Sequence, residues 1–181
     1  MLNYSGFIRA ESMKSLEDQM AFYAAYHQDA RNKATHFIGV PVIILSLFIP
    51  LAWPRIEVAG MPITAAMVFA LAVLAYYLVL DVPLGLAMAA VTATLLWLGH
   101  QIAALGAGPA WAWFAALFVG GWILQLVGHG FEGRRPALTD NLFQIFVAPI
   151  FLCAEIFFAL GYKPGLQRAV EERARSMRPG A

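Results

Sequence analysis

The residues able to do chemistry gather between Gln125 and Asn141, QLVGHGFEGRRPALTDN, where an apolar run meets a histidine, a carboxylate and two arginines. On one continuous helix Trp122, Gln125, His129 and Glu132 fall at i, i+3, i+7 and i+10, a single polar face in oily surroundings. Imidazole and carboxylate are costly at the edge of a membrane, so a stripe that carries both is expected to use them. Two more histidines, His27 and His36, stand far away in the chain. Imidazole and carboxylate together suit a divalent transition metal. Two histidines with a carboxylate make oxygen-activating iron(II) sites with open positions, and zinc accepts the same atoms in hydrolases. Cys153 is the only cysteine, which excludes an internal disulfide and a cysteine-based metal cluster. A plainer reading gives each residue structural work: an interfacial histidine hydrogen-bonds a carbonyl, and Glu132 pairs with Arg134 or Arg135 in a solvated loop.

The elements that must position these groups are membrane helices. Of 181 residues 61% are hydrophobic and only 13% charged, far from a soluble average. The apolar residues form blocks almost free of charge: Phe37 to Trp53, Met61 to Leu80, Val82 to Leu105, Pro109 to Val127 and Leu142 to Leu160. Each approaches the length that crosses roughly 30 Å of hydrocarbon at 1.5 Å per residue. The chain therefore reads as a single integral membrane domain over residues 1–181. Its class is all-α: a polytopic helical bundle of four transmembrane helices plus a fifth membrane-embedded segment, with amphipathic helices at both termini. A net charge of +1 without a basic face gives no reason to expect nucleic acid. No small-residue cleavage pattern precedes the first block, so the amino-terminal segment is expected to persist.

In chain order, Ser12 or Ser15 can cap a helix through SLEDQMAFYAAYH, Ser15 with Asp18 forming an approximate capping box. Leu16, Met20 and Tyr23 make its apolar stripe, with His27 at the inward end, and the helix is expected on or tucked against the membrane. His27 and His36 would point to opposite sides of one unbroken helix, so they converge only if the chain turns between Gln28 and Asn32. Asn32 is the expected cap of the first span, with His36 one turn on and Pro41 as a kink. Residues 54–62 read as a short interfacial loop, Asp81-Val82-Pro83 as a tight helical hairpin, and GAGP at 106–109 as the next one. His100 is left out of the site because the intervening helix places it about 25 Å away.

Asn141, Gln144, Ala148, Phe151 and Glu155 form one stripe of the last block, whose glutamate should face protein or water. After Gly161 and Pro164, GLQRAVEERARSM sets Leu166, Val170, Ala174 and Met177 on one side and pairs such as Glu171 with Arg175 on the other, a second surface-lying helix. Lys and Arg cluster in the amino-terminal segment, at Arg134 and Arg135, and in the tail, all expected on the cytoplasmic side. A full fifth crossing would put the tail outside. Pro149 offers an alternative, a block that bends and returns.

Tyr26-His27, Asn32, His36, Gly39 and Pro41, followed by Trp122, Gln125, Gly128-His129, Glu132 and Arg135-Pro136-Ala137-Leu138, resemble the pattern of the 2-hydroxy fatty acid dioxygenases. The resemblance covers nearly the whole chain, including block order and the Asp140-Asn141 opening of the last block. It implies an iron(II)-dependent α-oxidation in which a 2-hydroxy fatty acid and O2 give a fatty acid one carbon shorter, with loss of CO2. It also implies that His27, His36, His129 and Glu132 are the catalytic residues and the ligands of Fe(2+). An α-hydroxy carboxylate suits such an ion through its hydroxyl and one carboxylate oxygen, and Arg134 or Arg135 is expected to attract that carboxylate. The acyl tail would lie between helices, where each buried CH2 contributes about 0.8 kcal/mol. The membrane would be the inner membrane of a bacterium or the endoplasmic reticulum of a eukaryote. Two rival readings stand beside this one: a zinc-dependent membrane lipid hydrolase, and a non-enzymatic membrane scaffold or transporter. Transporters place paired ionisable groups near the bilayer midplane in broken helices, whereas here they gather at one face, which favours an enzyme drawing a lipid from the leaflet.

Overall fold

A computed structural model describes residues 15–133 and 142–177. Its elements in chain order are α1 (Leu16–Ala25), α2 (Ala30–Leu51), β1 (Arg55–Val58), β2 (Met61–Thr64), α3 (Ala65–Leu80), α4 (Val82–Ala103), α5 (Ala107–Glu132), α6 (Gln144–Ala159) and α7 (Pro164–Ser176). Helices α2 and α4 have 22 residues and α5 has 26. At 1.5 Å per residue they measure about 33 to 39 Å, and all three are apolar enough to cross a membrane. Helices α3 and α6, of 16 residues each, are shorter at about 24 Å. Leu71, Val79, Leu86, Trp97, Ile123 and Leu126 point outward from α3, α4 and α5 and are more than half exposed. Such a surface suits lipid as its solvent.

The bundle is built around α2 and α5, which run antiparallel in close contact. Glycines set the approach: a Cβ on Gly121 would come within 2.6 Å of Ile43 Cγ1, and one on Gly128 would collide with Thr35 and Asn32. Small residues of this kind let two membrane helices meet backbone to backbone. On the other side of α2, Gly99 of α4 lies under Phe48, where an added Cβ would be 2.7 Å from Phe48 Cβ. Asp81 joins α3 to α4 as expected of a tight hairpin. Its N–H donates to Tyr77 O, its carboxylate accepts from Leu84 N, and its second oxygen pairs with Lys163 at 2.6 Å.

Three features differ from the sequence reading. The expected loop at 54–62 is an antiparallel hairpin pairing Arg55 with Thr64 and Val58 with Met61, its turn made by Ala59 and Gly60 at positive φ. Pro62 and the exposure of all four β1 residues hide such a hairpin from a pattern search. The two terminal helices, read as separate elements in the sequence, pack against each other. Ser15 caps α1 as predicted by accepting from Asp18 N, but Met20, Ala21 and Ala25 are then enclosed by α6 and α7. Val170 and Ala174 of α7 pack there, and Arg173 bridges Glu17 and Asp18. Finally, α6 passes through Pro149 as one helix rather than folding back at it. Its start stays beside the last turns of α3, with Phe143 5.5 Å from Tyr76 and Phe146 O accepting from Tyr77. Its end stays beside the start of α2, where Glu155 pairs with Lys33 at 2.7 Å. That glutamate faces protein, as its position in an apolar block demands.

Candidate metal centre

Chain reversal between α1 and α2 brings the first two histidines together. α1 stops at Ala25, Asp29 caps α2 by accepting from Arg31 N, and the turn between them holds His27 over His36. The turn falls where the nine-residue spacing requires it, but its cap is Asp29 rather than Asn32. Asn32, fully buried one turn further on, does other work. His129 arrives from the last turn of α5, which ends at Gly133 in the left-handed conformation.

His27, His36 and His129 are buried, and each offers a ring nitrogen within 4.8 Å of the other two. Their centroids are 4.6 to 5.0 Å apart and their planes are steeply inclined to one another. His27 Nδ1 lies 2.8 Å from Tyr23 O and His36 Nδ1 2.8 Å from Asn32 O. A carbonyl only accepts, so both Nδ1 atoms carry hydrogen and both Nε2 atoms present lone pairs. Those two Nε2 atoms are 3.2 Å apart. Two acceptors at that distance repel unless a cation lies between them, and backbone carbonyls that fix the tautomer are the usual support of a metal-binding imidazole. A proton is a poor substitute. Burial, and next the neighbouring His36, hold His27 down to about 2, far below the ordinary histidine range. Stacking on Tyr23, with centroids 3.9 Å apart, fixes the ring further.

Glu132, expected as a fourth ligand, stands outside this group. Its carboxylate accepts from the backbone N–H of Gln28 at 3.0 Å, from that of Asp29 at 2.8 Å and from Asn32 Nδ2 at 3.1 Å. The first two donors belong to the turn that carries His27, just before α2 begins, where a negative charge also meets the positive end of the helix dipole. Glu132 thus fastens the His27 turn to the helix that carries His129. Charge-assisted hydrogen bonds of this type contribute about 1.5 to 3 kcal/mol each when buried, less where water competes. Backbone donors have no side-chain signature, so the sequence showed the carboxylate and hid its partners. Arg134 and Arg135 lie outside the described residues. His100 is at the other end of α4, 3.1 Å from Thr64 Oγ1.

From the histidines a cavity of about 330 Å3 opens between α2, α3, α4, α5 and α6, walled largely by apolar side chains such as Val40, Ile44, Phe48 and Met88. Its polar exceptions include Trp122 and Gln125 of α5 and Gln144 of α6. Trp122 Nε1, Gln125 Nε2, His129 Nδ1 and Gln144 Oε1 are buried without a hydrogen-bond partner. The sequence places these side chains on two polar stripes but does not show that the stripes face one hollow.

The chain matches the family model described as 2-hydroxy-palmitic acid dioxygenase Mpo1-like over residues 13–160. It is also similar to the 2-hydroxy-palmitic acid dioxygenase MPO1 of Saccharomyces cerevisiae, 37% identical over 166 residues that cover 89% of this chain and 90% of that relative. No solved structure matches it. The matched region includes all three histidines, the Glu132 clasp and the cavity walls, and the chain belongs to the Mpo1-like family of 2-hydroxy-palmitic acid dioxygenases.

Proposed function

We propose that this chain is an iron(II)-dependent dioxygenase of 2-hydroxy fatty acids, converting a 2-hydroxy acid and O2 to the acid one carbon shorter, CO2 and water. The observation that carries the reading is the convergence of His27, His36 and His129, with two Nε2 lone pairs facing each other at 3.2 Å, in a chain of this family. The fit to a divalent ion rests on those facing acceptors and on carbonyls that fix both tautomers. Bound there, iron(II) supplies the open coordination positions and redox chemistry that O2 requires. The rest is done by the protein. His27, His36 and His129 hold the ion, Glu132 keeps the His27 turn in register, and the apolar cavity excludes water and takes the acyl chain, each buried CH2 adding about 0.8 kcal/mol.

In the membrane α2, α3, α4 and α5 run alternately between two ends, while α6 is embedded with its start beside the last turns of α3 and its end beside the start of α2. This gives four crossings and a fifth segment that does not cross, and it returns α7 to the side of α1, against which it packs. Arg31, Lys33, Lys163 and Arg173 stand at the histidine end, which the positive-inside rule assigns to the cytoplasm. The substrate enters from the lipid leaflet.

One observation keeps a second reading in view. With Glu132 engaged elsewhere, the converging set is three imidazoles, a donor set that catalytic zinc also uses. Purified protein in detergent decides between the two. Iron-dependent O2 uptake with 2-hydroxyhexadecanoate, matched by CO2 release and abolished in His36→Ala, is expected. Absence of uptake after iron is restored, with hydrolysis of a lipid ester in the presence of zinc, would transfer the chain to the hydrolase reading.

A further inference from the structure

The cavity is lined by polar side chains that the three histidines do not explain. Gln125 Nε2 is a donor and Gln144 Oε1 an acceptor, both buried without a partner, on side chains only 6% and 3% exposed. They come from different helices, α5 and α6, yet line the same hollow as the imidazoles. Gln125 is one turn of α5 from His129, about 6 Å along the axis. Its amide occupies the space over Gly39, which is itself one turn of α2 from His36. The amide therefore sits directly inward of the histidines on both helices that carry them.

A buried polar group left without a partner destabilises a fold, so an orphan donor and an orphan acceptor in one cavity are shaped for a ligand that offers the converse pair. A 2-hydroxy acid does so: its carboxylate accepts and its hydroxyl donates. A plain fatty acid satisfies only one of the two. Resting on the dioxygenase reading above, we propose that Gln125 and Gln144 bind the substrate head group. Gln125 donates to the carboxylate. Gln144 accepts the 2-hydroxyl hydrogen and so determines the preference for 2-hydroxy acids over unsubstituted ones. The indole N–H of Trp122, also unpartnered, is a second donor one turn deeper on the Gln125 face. Sites that hydrogen-bond a substrate hydroxyl discriminate strongly against the analogue that lacks it, because the site's own polar group is then stranded.

The test is equilibrium dialysis of radiolabelled 2-hydroxyhexadecanoate and hexadecanoate against the full-length, zinc-loaded protein in detergent, where no turnover interferes. Wild-type protein is expected to prefer the 2-hydroxy acid. Gln144→Leu should lower that preference about tenfold, Gln144→Glu, which keeps an acceptor, should retain it, and Gln125→Met should weaken both acids about tenfold with the preference intact. Metal content should match wild type throughout. If Gln144→Leu does not fold, Gln144→Asn, which withdraws the amide by one methylene, is expected to show the same lost preference. A wild-type preference that survives in the Gln144 variants, or that disappears only together with the metal, overturns the assignment of Gln144. Wild-type protein that binds the two acids equally instead counts against the dioxygenase reading itself.

Discussion

At Glu132 a carboxylate that reads as a metal ligand in the sequence gathers N–H groups from Gln28, Asp29 and Asn32. Its two roles differ in what a substitution does. As a clasp, Glu132→Ala strands two backbone donors at the start of α2 and frees the His27 turn. The expected result is a loss of about 2 kcal/mol in thermal unfolding together with weakened metal binding. Glu132→Gln keeps one accepting oxygen, so the cobalt(II)-loaded variant should retain the wild-type visible spectrum. A changed spectrum would return Glu132 to the metal. The histidines themselves were legible. Their spacing demanded a turn between Gln28 and Asn32, and the chain turns there. Asn32 reads as a cap because asparagine is a good cap by type, and nothing local reveals that Asp29 takes that role while Asn32 donates to Glu132.

Helix α5 meets α2 closely at two residues with no side chain, Gly121 and Gly128, and the second lies beside the histidines. A methyl on Gly128 would collide with Thr35 and Asn32 and stand 3.2 Å from His36 Nδ1, the atom that fixes that ring's tautomer. Gly128→Ala is therefore expected to cost about 2 kcal/mol by overpacking and to reduce bound metal, whereas Gly130→Ala, with open space around it, should do neither. Unfolding in detergent and metal analysis of both variants would check this. Matching losses in the two would remove the case for a close approach at 128. Helix positions were legible from apolar block lengths, charge breaks, the cap at Ser15 and the hairpin at Asp81, though not the capping role Asp81 takes there. Helix partners were not. α1 presents Met20 and Tyr23 to any apolar neighbour, and a stripe does not say whether lipid or protein will cover it.

For the molecule as a whole, the histidines join α1's trailing turn, α2 and α5, so a bound ion ties three elements from both halves of the chain. Saturating metal should raise the unfolding midpoint in detergent, a stabilisation of about 3 kcal/mol when the free ion is a hundredfold above its dissociation constant. Chelation should reverse it, and His36→Ala should show no shift. A midpoint indifferent to chelator in wild-type protein would separate the histidines from any ion.

The pairing of α1 with α7 sets the order in which the molecule can be completed. Asp18 and Arg173 are 155 residues apart, and the helix that carries the His27 turn rests on a helix near the far end of the polypeptide. Synthesis from the amino end completes α2 to α6 before α7, the partner of α1, exists. The turn that carries the first histidine is thus held from two sides by elements made after it, Glu132 of α5 and helix α7 against α1, so its placement waits on contacts of high sequence separation.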